Sequence, residues 1–348
     1  MTSPIRLDLV ADGALQLTLE RALHPLAERW IPEGLGEARG GSRRPVIAVH
    51  ASAMPLQRPP GPRTLLLGSV SAWVGKDRAI LAGAAPASGG VLSLGAGRGS
   101  LQVDPARPAG AAVDLYSMLT VSAGLLLAAL EAGGRALVHA AAVVAPAGDA
   151  WLLAGDARSG KSTTCATLAA AGWGYLSDDQ VVLTGRAYSV EVEGWLRPFH
   201  LDDATGARRE IAAAELGLAG RWRRTARLAG VIFPAVSPTE PTLLTPLAPA
   251  SALARLVRQT PWLLADRRSA RGVLALLKRA VHAGAFSLRL GRDTYREPER
   301  LAEVLAPRSP LRNVGLTPAP LTGSSPPVPL SGSSPPVPLS TYVERGDQ

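Results

Sequence analysis

The 348-residue chain has a single cysteine, Cys165, which excludes an internal disulfide. Lysine is almost as scarce, because only Lys76, Lys161 and Lys278 contribute to the 37 basic residues. Aromatic residues make up 4% of the chain, too few for a base-stacking surface. The net charge is +9, but the arginines are scattered along the sequence. We therefore expect no nucleic-acid partner.

Long apolar runs are also missing. The longest uncharged one, from Leu115 to Leu130, has about 16 residues, whereas a membrane-spanning helix needs about 20. A buried helix is the better interpretation. The amino-terminal stretch from Met1 to Val10 carries charges and has no apolar signal core. These features predict a cytoplasmic protein with no membrane partner.

One short stretch carries a clear chemical motif. Residues 155–162 match the phosphate-binding pattern G-x-x-x-x-G-K-[ST]. An apolar run precedes the motif and an alanine-rich segment follows it, which predicts the order strand, loop and helix. We call residues 155–160 the glycine loop. The predicted nucleotide-binding residues are Gly155, Asp156, Ala157, Arg158, Ser159, Gly160, Lys161, Ser162 and Thr163.

Each residue type in this motif has a physical reason. Glycines let backbone N–H groups converge on an anion at the positive end of a helix. Lys161 is expected to reach the β- and γ-phosphates of ATP, and the Ser162 hydroxyl is expected to bind Mg²⁺. The scarcity of lysine in this chain argues against a chance match.

Candidate catalytic residues lie on both sides of the motif. Asp178 and Asp179 follow a predicted strand, where one carboxylate can accept a hydroxyl proton and the other can lie near the metal. We choose Asp178 as the base and Asp179 as a metal ligand, although the two roles could be exchanged. His139 precedes an apolar run. Taken alone, a histidine in this position is more often a core residue than a catalytic one. Arg197, in a predicted loop, is a candidate phosphate clamp.

Together, these features resemble the kinase core of the HPr serine kinase/phosphorylase family, whose fold is related to phosphoenolpyruvate carboxykinase. The closer likeness is to HPr-kinase-related proteins, which have an H-A-A stretch, a G-K-S-T loop and an S-D-D-x-V-x-L strand. Those motifs stand here at residues 139–141, 160–163 and 177–183. The E-x-R-G signature of true HPr kinases is missing from residues 193–200, so the resemblance does not extend to HPr as the substrate.

The resemblance implies an α/β fold with a P-loop core and ATP- and Mg²⁺-dependent phosphorylation of a serine or other hydroxyl. It places His139, Asp178 and Asp179 in the phosphotransfer site. The implied acceptor is a small protein or peptide. Related proteins are encoded with lasso-peptide systems, which makes a precursor peptide one candidate. A non-catalytic ATP sensor and a kinase for a free small metabolite remain alternatives, and a homo-oligomer is compatible with all three.

The sequence predicts three regions. Residues 1–108 contain short apolar runs between glycine and proline turns, which is typical of a β-rich region. Residues 109–306 are predicted to form the kinase domain. Residues 307–348 form a Pro/Ser-rich tail in which GSSPPVPLS occurs at 323–331 and again at 332–340. This composition cannot bury a core, so we expect a disordered tail.

Overall fold

The structure is a computed structural model, and it describes residues 4–10, 14–27, 46–130, 134–195, 198–202, 207–218, 220–237, 239–265, 267–291, 293–294 and 297–305. These residues form a mixed α/β fold and belong to one compact unit. The mixed α/β class expected from the sequence is confirmed. The predicted tail, residues 307–348, lies outside the described residues, and the three-region division stays a prediction.

The first sheet uses the amino-terminal third of the chain. Its strands are β1 (Ile5–Asp8), β2 (Gln16–Leu19), β3 (Val46–Ala51), β4 (Leu65–Leu67), β5 (Val70–Val74), β6 (Arg78–Ala82), β7 (Gly89–Ser93) and β8 (Arg98–Val103). Their order is β1-β2-β3-β8-β7-β6-β5-β4. Strand β3 runs parallel to both β2 and β8, and the other pairs are antiparallel.

The second sheet carries the candidate site. Its strands are β9 (Arg135–Val144), β10 (Asp149–Ala154), β11 (Gly174–Ser177), β12 (Gln180–Gly185), β13 (Val190–Gly194), β16 (Thr225–Val236), β17 (Leu243–Pro246) and β18 (Ala285–Leu290). The order is β10-β9-β12-β13-β16-β18-β17, with β11 beside β9. Strand β10 also pairs in parallel with β16. A separate ribbon consists of β14 (Phe199–Asp202) and β15 (Arg208–Ile211).

Helices cover the sheets or connect their strands. They are α1 (His24–Ala27), α2 (Pro108–Leu130), α3 (Lys161–Ala170), α4 (Pro249–Arg258), α5 (Trp262–Ala265), α6 (Arg267–Ala283) and α7 (Pro298–Leu305), and a 3₁₀ turn spans Arg21–Leu23. Helix α4 begins with a proline at its first position, where the missing N–H costs no helical hydrogen bond.

Helix α2 is the central helix of the hydrophobic core. Its apolar residues share one buried cluster with the leucines and valines of the first sheet and with Leu137 of the second. At Gly124 an added Cβ would overlap the ring of Trp262, so the absent side chain lets the two elements approach closely. The indole N–H of Trp262 donates to the Leu137 carbonyl at 2.7 Å. One helix therefore joins the cores of both sheets.

The length of α2 differs from the sequence-based expectation. Its apolar part, Gly110–Ala129, spans 20 residues with mean hydropathy 1.6, which by length and composition alone would suffice to cross a membrane. The helix continues through Asp114 because its carboxylate is satisfied by the Ser69 hydroxyl at 2.6 Å and by two backbone N–H groups. Of its most apolar stretch, 78% is buried inside the protein. The prediction of a buried helix is confirmed, but the length argument behind it is wrong.

Candidate active site

The glycine loop connects the end of β10 to the start of α3. Gly160 has a φ of 97°, and an added Cβ would lie 2.6 Å from Leu290 Cδ1. Both the left-handed backbone and the limited space require glycine there. Gly160 is also the N-cap residue of α3, and no side chain caps this helix. The N–H groups of its first turn are therefore available to an anion.

Lys161 folds back over the glycine loop. Its Nζ donates to the carbonyls of Gly155 at 2.8 Å and Asp156 at 3.0 Å. The residue is 7% exposed, and this burial lowers the pKa of Lys161, whereas the nearby charges of Asp179 and Asp178 oppose the shift. Its direct partners are neutral carbonyls, so a phosphate oxygen could replace them without breaking an ion pair.

The two candidate carboxylates occupy the two-residue connection between β11 and β12. Ser177 holds this connection in place, because its hydroxyl donates to the Trp195 carbonyl at 2.7 Å and accepts the N–H groups of Asp179 and Gln180. Such a serine turn fixes the backbone direction locally. Adjacent residues consequently present two carboxylates at the ends of two neighbouring strands.

Asp178 is the more buried of the pair. The residue is 2% exposed, and its Oδ2 accepts the backbone N–H of His200 at 3.0 Å. Its Oδ1 is buried and has no hydrogen-bond partner among the residues that the structure describes. A buried carboxylate oxygen without a partner is costly in a folded protein, and such atoms commonly meet a ligand, an ion or water. Oδ1 of Asp178 can therefore contact a bound ligand.

Asp179 is held by two side chains from other parts of the chain. His139 Nδ1 lies 3.0 Å from Asp179 Oδ1, and the Tyr116 hydroxyl donates to Asp179 Oδ2 at 2.9 Å. The His139 side chain is 35% exposed, so it is not the buried core histidine that the sequence alone would favour. From the sequence, His139 was placed just before an apolar run, but it lies in the middle of β9. The first half of β9 pairs with β12, and this pairing aligns His139 with Gln180.

A cleft of about 530 Å³ brings most of the predicted residues together. The predicted residues that line it are His139, Ala157, Arg158, Gly160, Lys161, Ser162, Thr163, Asp178 and Asp179. Gly155, Asp156 and Ser159 belong to the loop but do not line the cleft. Asp156 contacts Gln259 instead, whose Nε2 lies 3.3 Å from its Oδ1. Arg197 lies outside the described residues, so its role as a phosphate clamp stays a prediction.

Four residues that line this cleft were not predicted from the sequence: the apolar Val236 and the polar His200, Asp202 and Arg208. The three polar residues are the ones of chemical interest. They lie on the β14–β15 ribbon, for which no prediction was made. A signal for them exists, because Phe199, His200, Leu201 and Asp202 alternate between apolar and polar as a half-buried strand does. The pairing of that strand with β15, and the approach of both to Asp178, depend on the tertiary structure.

The residues that line the cleft fit a magnesium ion that also binds the phosphates of the nucleotide. The described residues contain no group of three or more His, Cys, Asp or Glu side chains that could hold a metal by themselves. Mg²⁺ usually needs only one or two carboxylates, because substrate phosphates and water complete its octahedron. The Ser162 hydroxyl and the carboxylate of Asp179 supply hard oxygen ligands of this kind. They could hold the ion.

Comparisons with known proteins give limited information. No family model matches the chain, and no curated protein matches it. Among solved structures, the HPr(Ser) kinase/phosphatase from Coxiella burnetii is similar in part. The match covers 49% of this chain and 93% of that one, with 11% sequence identity and a TM-score of 0.28. At this score the likeness carries no argument about function.

Proposed function

We propose that the protein is an ATP- and Mg²⁺-dependent kinase that phosphorylates a serine or other hydroxyl on a small protein or peptide. The observation that carries this proposal is one cleft that contains both Lys161 beside the glycine loop and the pair Asp178 and Asp179. An anion site and two carboxylates in one cleft suit phosphoryl transfer, because that reaction needs phosphate binding, a metal and a proton acceptor.

The loop side of the cleft would bind the nucleotide. The uncapped N–H groups at the start of α3 face the phosphates, and Lys161 exchanges its two carbonyl partners for phosphate oxygens. Ser162 and Asp179 would hold Mg²⁺. When bound, Mg²⁺ neutralises the charge that develops on the phosphate oxygens during transfer. His139 and Tyr116 keep the Asp179 carboxylate oriented toward this position.

Proton transfer would take place on the side of the cleft that contains Asp178. The acceptor oxygen attacks the γ-phosphorus of ATP while the bond from that phosphorus to the bridging oxygen of ADP breaks. Asp178 Oδ1 takes the hydroxyl proton, and no hydrogen bond from the described part of the chain competes for this oxygen. The other oxygen stays bound to the N–H of His200, which prevents the carboxylate from rotating away.

The test is phosphate transfer from γ-labelled ATP in the presence of Mg²⁺. Acceptors would include peptides encoded beside the gene, the same peptides with every serine and threonine replaced by alanine, and free serine and glycerol. We expect label on the serine-containing peptides, and none with Asp178→Asn. Label on free serine or glycerol alone would instead identify a small-metabolite kinase.

A nucleotide sensor is the competing function, and one contact favours it. Tyr116 connects Asp179 to α2, and α2 packs on the first sheet. Nucleotide binding in the cleft could therefore change the packing of α2 on that sheet. Nucleotide binding without label on any acceptor would support the sensor and overturn the kinase. Either function requires a compartment that contains ATP, and the cytoplasm therefore stays our prediction for its location.

A further inference from the structure

The β14–β15 ribbon presents polar side chains to the candidate site. In this antiparallel pair Asp202 lies opposite Arg208, and His200 lies opposite Glu210. Residues opposite each other share one face of a ribbon, and that face changes with every residue along the strand. His200, Asp202 and Arg208 all line the cleft. Arg209, the next residue, therefore belongs to the opposite face.

The ribbon is fixed to the site at its first strand. The N–H of His200 donates to Asp178 Oδ2, and the His200 ring lies 3.2 Å from Glu210 of β15. On the other face, Phe199 is fully buried, and its ring centroid is 5.1 Å from that of Tyr175. These contacts connect the ribbon to the side of the cleft that contains Asp178. In the proposed function that side receives the acceptor, whereas the glycine loop binds the nucleotide.

Arg208 brings a cation to this side of the cleft. The residue is exposed, and among the described residues it has no ion-pair or hydrogen-bond partner. Its cross-strand neighbour Asp202 makes no ion pair with it. The charge of Arg208 is close enough to lower the pKa of Lys161, although burial of that lysine has the larger effect. Arg158, Lys161 and Arg208 thus line one cleft, and an anion with several oxygens suits such a group of cations.

We propose that Arg208 binds the γ-phosphate of ATP and neutralises its charge during transfer. The inference rests on the proposed nucleotide site. The start of α3 suits the α- and β-phosphates, and Lys161 approaches the β- and γ-phosphates from the glycine loop. Arg208 comes from the ribbon that holds Asp178, where the transferred group must meet its acceptor. A guanidinium can bind two phosphate oxygens at once in a planar fork.

The experiment compares two nucleotides on four proteins. The affinities of β,γ-imido-ATP and of ADP, each with Mg²⁺, are measured by calorimetry for the wild type, Arg208→Ala, Arg208→Lys and Arg209→Ala. Arg209 is the matched control because it is an exposed arginine on the same strand but on the opposite face. Thermal melting of each variant checks folding, and an exposed side chain without partners should not change it.

The expected result is selective. Arg208→Ala should weaken β,γ-imido-ATP about tenfold or more, since a hydrogen bond to a charged group is lost, and should leave ADP within about twofold. Arg208→Lys should lie between the wild type and the alanine variant, and Arg209→Ala should match the wild type.

Equal losses for both nucleotides, or no loss in Arg208→Ala, would overturn the assignment to the γ-phosphate. A wild type that binds neither nucleotide would overturn both the proposed function and this inference. Binding with the expected selectivity but no transfer would overturn only the kinase.

Discussion

Tyr116 donates its phenolic hydroxyl to Asp179 Oδ2 at 2.9 Å, across 63 positions of the sequence. The contact links helix α2, which fills the core beside the first sheet, to a carboxylate of the candidate site. Because His139 contacts the other oxygen of Asp179, the carboxylate is held from two directions. The first sheet thereby supports the site through a helix, without lining the cleft itself.

Replacing Tyr116 by phenylalanine removes this hydrogen bond and keeps the ring. We expect turnover to fall about tenfold, because a hydrogen bond to a charged carboxylate is lost. The fall should appear together with a higher Mg²⁺ requirement, which a merely structural tyrosine would not produce. Tyr188→Phe is the control, since that side chain is fully exposed. Equal Mg²⁺ dependence in both variants would contradict a positioning role.

Lys161→Ala should abolish measurable nucleotide binding while the protein stays folded. The reason is that the Lys161 ammonium lies on the glycine loop, where it donates to two loop carbonyls that phosphate oxygens can replace. The measurement is ATP binding by calorimetry, with circular dichroism as a check on folding. Lys278→Ala, an exposed lysine on α6, is the matched control and should bind normally. Unchanged affinity in Lys161→Ala would remove the nucleotide site.

The buried ammonium of Lys161 also predicts a pH dependence of stability. Burial lowers the folded-state pKa of this lysine below its unfolded value, so the unfolded chain binds more protons between the two values. The cost of burying the charge is full below the folded pKa and disappears as the pH rises through the unfolded pKa. Lys161→Met should therefore melt at a higher temperature than the wild type near pH 7.

That advantage should shrink as the pH approaches the ordinary pKa of lysine. Parallel melting curves between pH 7 and 10 on both proteins would measure it, and the comparison cancels other alkaline titrations. A constant difference across this range would mean that the variant acts through its shape and not through the lost charge.

Asp178→Asn and Asp179→Asn should separate proton transfer from metal binding. Asparagine at 178 keeps the shape but cannot take the acceptor proton, so turnover should fall about 10²–10⁴-fold while Mg²⁺-ATP affinity is kept or slightly raised. Asparagine at 179 should instead weaken the Mg²⁺ dependence itself. Opposite behaviour of the two variants would exchange the roles of base and metal ligand, which the sequence left open.

His139→Ala should cost less turnover than Asp178→Asn if its role is to orient Asp179. The loss in the double variant His139→Ala, Asp179→Asn should be less than additive, since these two residues are in contact and would act as one unit. Turnover and Mg²⁺-ATP affinity on the single and double variants measure this. Near wild-type turnover in both aspartate variants would rule out the catalytic interpretation and favour the sensor.

The close packing of α2 can be tested with two glycines of the same helix. Gly124→Ala should destabilise the protein by about 1–3 kcal/mol, because the new methyl group overlaps the Trp262 ring, which its hydrogen bond to Leu137 holds in place. Gly110→Ala has nothing within 4 Å and should stabilise the helix by about 0.5 kcal/mol. Denaturant unfolding of both variants gives the two free energies, and equal values would mean that Gly124 is not needed for the contact.

The strand, glycine loop and α3 could be predicted from the sequence because their order is local. A short apolar run, two glycines and an alanine-rich segment specify them without reference to distant residues. The same holds for the connection at Asp178 and Asp179, which Ser177 fixes by hydrogen bonds within three residues. The mixed α/β class follows from such local patterns as well.

Only the tertiary structure decided which distant side chains complete the cleft. Tyr116 comes from a helix that was predicted only to be buried, and His200 and Arg208 come from a ribbon that was not predicted. Their approach depends on strand pairing and on the packing of α2 across the two sheets. These contacts join residues from 22 to 63 positions apart, and no periodicity in the sequence encodes which partner a buried carboxylate will meet.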